Sequence, residues 1–272
     1  MFPRILLSIS LFIFCTLVSA KSILVNQAEL EYEIKGAGEN IVLFEAGAIS
    51  GMSGWDVIWD KLPENTTAIR YSRRGEGKSS SCIGDLTSND YVRDAEELIH
   101  LLKIDKPIIY VSHSYGGKIA REFAVRNQDR VTAMLFVDPI NPRDVEIIEK
   151  LDPSGGKKAN DKMKQDDIKM GKENNWCLIN DIWDKKPSLG YGDIKNIPIT
   201  LIAGVKKFEN PERLFDTDKA RELWGEFQSE WVLKFPMGKA VMANKSGHFV
   251  QDDEPELVIT ELKELIKRAS ES

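Results

Sequence analysis

Ser114 and His248 are the residues around which covalent chemistry can be built in this 272-residue chain. Ser114 lies in Ile108-Ile109-Tyr110-Val111-Ser112-His113-Ser114-Tyr115-Gly116-Gly117, where an apolar β-branched run breaks into small residues and then into a helical pattern. A serine hydroxyl is a weak nucleophile. It becomes useful when the backbone holds it clear of the sheet, beside a base and in front of main-chain N–H groups that take up developing negative charge. A strand, a sharp turn and a helix meet those needs. The base must come from only three histidines. His100 sits in a helical stretch and reads as an interface residue of that helix. His113 adjoins Ser114, so its side chain should point away from the serine and pack against or hydrogen-bond the turn. His248, in Asn244-Lys245-Ser246-Gly247-His248-Phe249-Val250, follows the last strand pattern on a glycine-containing loop. Near neutral pH an imidazole accepts and returns a proton, as acyl transfer requires.

The elements that must carry these groups follow from periodicity. Two alternating segments, Ser22 to Val25 and Glu29 to Ile34, form an antiparallel pair joined by a polar turn. Strands are then expected at Ile41 to Phe44, Thr67 to Tyr71, Ile108 to Ser112, Val131 to Val137, Ile199 to Ala203 and Lys239 to Met242. Helices are expected at Asp90 to Leu102, Tyr115 to Asn127, Ala220 to Ser229 and Pro255 to Ala269. Such alternation implies an α/β protein with a mostly parallel sheet of about eight strands, covered on both faces, and binding groups on loops at the strands' carboxyl ends. Residues 139–198 break the rhythm, being charged, helix-prone and without a convincing strand. A stretch this long is expected to form a helical cap over the strand ends, splitting the core into residues 21–138 and 199–272.

Residues 1–20 read as a signal peptide: a short positive start through Arg4, an apolar run from Ile5 to Val18 and a small-residue cleavage site at Val18-Ser19-Ala20. Export to a secreted or periplasmic location is the expectation. The run is too short to serve as a stable membrane anchor. The formal charge is −6, with 37 basic against 43 acidic residues, so nucleic acid is not an expected partner. In an oxidising compartment Cys82 and Cys177 are the pair available for a disulfide, although spacing alone leaves it undecided. No metal-ligand constellation is visible, and no cofactor is called for.

The chain resembles the α/β-hydrolase family over most of its length after residue 20. Ser112-x-Ser114-x-Gly116 is similar to the G-x-S-x-G nucleophile elbow, with Ser112 in place of the first glycine. Phe44-Glu45-Ala46-Gly47-Ala48 looks like the turn after the third strand, with Glu45 where the family often has histidine. Arg73-Arg74-Gly75-Glu76-Gly77-Lys78-Ser79 resembles D-x-R-G-x-G-x-S, with Ser72 at the aspartate position. Gly247-His248-Phe249 followed by Pro255-Glu256 matches the family's histidine loop and the opening of its last helix. The resemblance implies an oxyanion hole from the backbone N–H groups of Ala48 and Tyr115. Glu45 would brace its loop through backbone hydrogen bonds or place a carboxylate near the pocket. The family's usual acid position after the seventh strand falls on lysine in Gly204-Val205-Lys206-Lys207. Some relatives take the acid from the end of the sixth strand, which here is Asp138; Glu209 is the alternative.

Together these residues point to an exported serine hydrolase that cleaves a small or medium carboxylic ester through an acyl-enzyme. An amidase, peptidase or acyltransferase would use the same triad, and a non-catalytic binding protein could share the fold. Serine at position 114 argues against epoxide hydrolase and dehalogenase chemistry, which this family performs with a carboxylate nucleophile. Neither the acyl group nor the oligomeric state is readable from the sequence.

Overall fold

The computed structural model describes residues 20–184 and 194–272, so the expected signal peptide lies almost entirely outside the described residues. Eight strands form one sheet: β1 Lys21–Val25, β2 Ala28–Lys35, β3 Asn40–Glu45, β4 Thr66–Tyr71, β5 Ile108–His113, β6 Val131–Val137, β7 Ile199–Gly204 and β8 Gly238–Ala243. Their spatial order is β1-β2-β4-β3-β5-β6-β7-β8. The β1–β2 and β2–β4 pairs are antiparallel, and every other pairing is parallel.

The helices are α1 Asp56–Trp59, α2 Ser88–Leu101, α3 Gly116–Arg126, α4 Asp144–Leu151, α5 Gly156–Glu173, α6 Ile179–Trp183, α7 Asp218–Val232, α8 Val250–Asp253 and α9 Pro255–Ser270. Buried residues alternate between the two faces of each central strand, as the two-residue side-chain period requires. Ile108 and Tyr110 of β5, with Met134 and Phe136 of β6, enter one core beneath α2, α3 and α7. Ile109 and Val111, with Ala133, Leu135 and Val137, enter the other beneath α1 and α9. In α9, Val258, Ile259, Leu262, Leu265 and Ile266 recur at helical spacing and are buried, while Pro255 occupies the first turn, where its missing N–H costs nothing.

Between β6 and β7 the described chain is α4, α5 and α6, with no strand among its described residues. Two links tie this stretch to the main body. Cys82 and Cys177 are joined as a disulfide, with Cα atoms 6.3 Å apart. Asp181 of α6 accepts from Lys118 Nζ at 2.9 Å and from the Tyr115 hydroxyl at 2.7 Å, both on the segment following β5. Among the described residues no helix is long and apolar enough to cross a membrane.

Candidate active site

Three carboxyl-end loops converge on Ser114. At the end of β5 the chain reverses into α3 so tightly that Ser114 takes φ +50°, a conformation non-glycine residues adopt only when their surroundings enforce it. The enforcement is visible. Ser114 N donates to Val137 O at 3.2 Å, and Ser114 O accepts from Gly117 N at 2.9 Å and Ile140 N at 3.0 Å. The helix leaves so close to β3 that a Cβ on Gly116 would lie 2.5 Å from Ala46 O, and one on Gly117 would lie 2.7 Å from Pro139 Cβ. Those two positions therefore accept only glycine, whereas Ser112 is accommodated fully buried, its hydroxyl left without a hydrogen-bond partner among the described residues.

His248 Nε2 lies 2.9 Å from Ser114 Oγ, and His248 Nδ1 lies 2.7 Å from Asp138 Oδ2. With Nδ1–H donating to the carboxylate, Nε2 presents its lone pair to the serine hydroxyl. Asp138 caps β6 at φ +40° and is only 1 % exposed. Its other oxygen accepts from Gly204 N at 2.9 Å and from Trp224 Nε1 at 2.7 Å, so the carboxylate is fully engaged and oriented. Glu209, the alternative acid, is exposed. The sequence offers no route to Trp224 or Gly204 as partners of Asp138. In an amphipathic helix such as α7 a tryptophan reads as core, and only the fold brings its N–H to the end of β6.

The other two histidines differ. His113 is buried and its Nε2–H donates to the carbonyl of His248 at 2.9 Å, so its hydrogen bond braces the histidine loop rather than the turn at Ser114 that the sequence suggested. Burial and the neighbouring His248 push its pKa down to about 3, so it stays neutral. His100 is exposed at the end of α2, not at an interface as its helix pattern suggested. Its place in the last turn, on the solvent side of an otherwise amphipathic helix, accounts for the difference.

On the other flank the Gly47 loop is packed against Ser114. A Cβ on Gly47 would come 2.6 Å from His113 Nδ1 and 3.3 Å from Ser114 Cβ. Glu45 does not brace this loop through backbone hydrogen bonds, the first of the two expectations for it; it is 1 % exposed and bonds side chains instead. It accepts from Arg73 Nη1 at 2.5 Å, from Tyr110 OH at 3.0 Å and from the Tyr71 hydroxyl. The backbone is held by Arg73, whose guanidinium donates to Ala46 O at 2.7 Å and Gly47 O at 2.6 Å while pairing with Glu76 at 2.7 Å. The motif around Arg73 was visible in the sequence, but its target was not. Desolvation raises the pKa of Glu45 despite the opposing pull of Arg73. Ser72, at the aspartate position of that motif, donates to Glu31 Oε1 at 2.7 Å, so β2 supplies the carboxylate that position 72 lacks.

A cavity of about 480 Å3 opens beside His248. Ile140, Val145, Ile148, Trp183, Phe215 and Phe249 give it largely apolar walls, drawn from α4, α6 and the strand-end loops. Among the described residues no group of three or more His, Cys, Asp or Glu is placed to hold a metal ion.

The family model for the alpha/beta hydrolase fold matches residues 40–170. An uncharacterized protein, YqjL, of Bacillus subtilis is 29% identical over 105 residues, 39% of this chain and 42% of that protein, so the chain matches less than half of this relative's length. An AB hydrolase superfamily protein of Gibberella zeae is 22% identical over 84% of this chain and 86% of its own. Among solved structures, an esterase of Thermogutta terrifontis superposes with TM-score 0.60 at 17% identity, covering 92% of this chain and 99% of that one. An enol-lactonase of Burkholderia xenovorans gives TM-score 0.64 at 17% identity over 91% and 100%. The epoxide hydrolase CorEH gives 0.67 at 19% over 92% and 99%. The sheet order, the turn at Ser114 and the matched family model together place this chain among the α/β-hydrolase-fold proteins.

Proposed function

We propose that this protein is an exported serine hydrolase that cleaves a small or medium carboxylic ester. The observation that carries the reading is the unbroken line Ser114 Oγ, His248 Nε2, His248 Nδ1, Asp138 Oδ2, at 2.9 Å and 2.7 Å. His248 takes the Ser114 proton as Oγ attacks the carbonyl carbon, and the imidazolium is stabilised by Asp138. The carbonyl oxygen becomes the oxyanion, facing the N–H groups of Ala48 and Tyr115. Collapse of the tetrahedral adduct expels the alcohol, which leaves with the proton from His248. Water, deprotonated by the same imidazole, then releases the acid.

In this reading residues 139–198 form the cap, and the apolar residues that its described helices contribute to the cavity suit an uncharged hydrocarbon portion of the ester. Esterase and lactonase neighbours fit acyl chemistry, while the epoxide hydrolase neighbour shares the fold. A serine at the elbow favours the acyl reaction, because opening an epoxide through a covalent enzyme intermediate calls for a carboxylate there. The test is a fluorophosphonate probe on the protein lacking residues 1–20, followed by a panel of esters graded in acyl length. Labelling of wild type but not of Ser114→Ala, with turnover peaking at an intermediate chain length, is expected. Properly folded wild type that neither labels nor hydrolyses any ester would leave a binding protein as the better account.

A further inference from the structure

The two backbone N–H groups assigned to the oxyanion belong to peptide units held in different ways. A trans peptide is planar, so its C=O and the N–H of the next residue point in opposite directions, and anchoring the carbonyl aims the amide. For Tyr115 the carbonyl of the same unit is Ser114 O, which is anchored by two main-chain donors, Gly117 N at 2.9 Å and Ile140 N at 3.0 Å. The elbow aims that amide unaided. For Ala48 the carbonyl is Gly47 O, and its main-chain donor, Ser50 N, is distant at 3.5 Å. The short bond to Gly47 O comes from Arg73 Nη2 at 2.6 Å.

From this asymmetry, and resting on the hydrolase reading above, we propose that Arg73 is the positioning residue of the oxyanion hole: its guanidinium holds the Gly47 carbonyl turned away from Ser114 and so keeps the Ala48 N–H turned towards it. The surroundings suit that task. Arg73 Nη1 also takes the preceding carbonyl, Ala46 O, at 2.7 Å, so two successive peptide planes are held by one rigid planar group. Glu45 and Glu76 lock the guanidinium from either side at 2.5 Å and 2.7 Å. Glu76 Oε1 in addition accepts from Ile49 N at 3.0 Å, which secures the far side of Ala48. Without a donor beneath it, the glycine at 47 is the residue best able to let the peptide rotate and present its carbonyl, a repulsive dipole, to the forming oxyanion.

Arg73→Lys keeps the positive charge but replaces a planar fork with a single ammonium that cannot serve two carbonyls and two carboxylates in this arrangement. Its kcat for the best ester is expected to fall about 100-fold, the size seen when one oxyanion donor is lost, with KM within about threefold. Inhibition by an aryl boronic acid, which forms a tetrahedral adduct on the serine and fills the oxyanion position, should weaken by a similar factor. A purely structural arginine would lower the melting temperature and leave both quantities unchanged per folded molecule, and that result overturns the proposal. Should Arg73→Lys fail to fold, the wild-type boronate adduct decides by crystallography. Ala48 N within about 3 Å of a boron-bound oxygen, with Gly47 O still on Arg73, supports it. A Gly47 carbonyl facing Ser114 in the adduct overturns it. An inactive, unlabelled wild type sinks the hydrolase reading and this proposal together; an active wild type with an equally active Arg73→Lys sinks this one alone.

Discussion

Two buried carboxylates flank Ser114, and they are built for opposite purposes. Asp138 and Glu45 are each 1 % exposed and each sits at the end of a parallel strand. Asp138 faces a histidine whose side chain keeps 43% of its surface open, with the Ser114 hydroxyl on that ring's far nitrogen. Glu45 faces an arginine that is itself 1% exposed and donates only to fixed oxygens. In the proposed hydrolase, one carboxylate supports a group that gains and loses a proton; the other is part of a static frame of Arg73, Tyr71 and Tyr110. Similar burial therefore says little about role. The partner's freedom to change its charge decides it.

Experiments can sharpen or erase that division. The largest effect is expected at the nucleophile itself: Ser114→Ala should reduce kcat by about 10⁴-fold or more, read with the preferred ester and checked by loss of fluorophosphonate labelling. Asp138→Asn removes the acceptor that sets the tautomer of His248, and a loss on the order of 10³ to 10⁴-fold in kcat with little change in melting temperature is expected. Glu45→Gln should do the reverse. Leaving Arg73 short of a counterion costs about 3 kcal/mol of stability, visible in urea unfolding, while kcat falls by no more than about tenfold because Glu76 still holds the guanidinium. Equal losses of activity in both carboxylate variants would erase the distinction.

Smaller effects probe the links around this centre. Opening the Cys82–Cys177 bridge, which spans 95 residues, should lower unfolding stability by about 2 to 4 kcal/mol, measured in urea with and without reductant. His113 gives a pH-dependent contribution whose sign is set by its depressed pKa of about 3. Below pH 6.5 the unfolded chain takes up a proton that the folded histidine refuses, so its contribution is complete above pH 6.5 and declines as pH falls towards 3. Between pH 7 and 5 this amounts to about 2 kcal/mol. His113→Gln should flatten that part of the stability profile, and an unchanged slope would show that the ring titrates normally in the folded protein.

The legible parts of the molecule share a cause. Strands such as Ile108–His113 and Val131–Val137 are continuous apolar runs because both faces are covered, and α9 repeats its buried residues at helical spacing, so hydropathy alone locates them. Ser114 stands out because it follows such a run at a strand's carboxyl end, and His248 because it is the histidine on the loop after the last strand, whereas Asp138 enters through the resemblance to hydrolases whose acid ends the sixth strand. Glu45 was misread because it ends β3 beside a turn that invites a backbone role, while its partners come from residues 71, 73 and 110 on other segments. His100 was misjudged because a helical pattern does not by itself state where the helix axis lies relative to the core.

By itself, the sequence determined the order of elements, the strand-turn-helix at Ser114 and the short list of groups able to react, since these depend on local periodicity and on chemistry carried by single residues. Only the tertiary structure decided which carboxylate meets His248, that Trp224 and Gly204 orient it, and that Arg73 reaches the Gly47 carbonyl. Each of those is a meeting between strand ends or helices far apart along the chain, and its distance is set by sheet register and packing, quantities that no local pattern encodes.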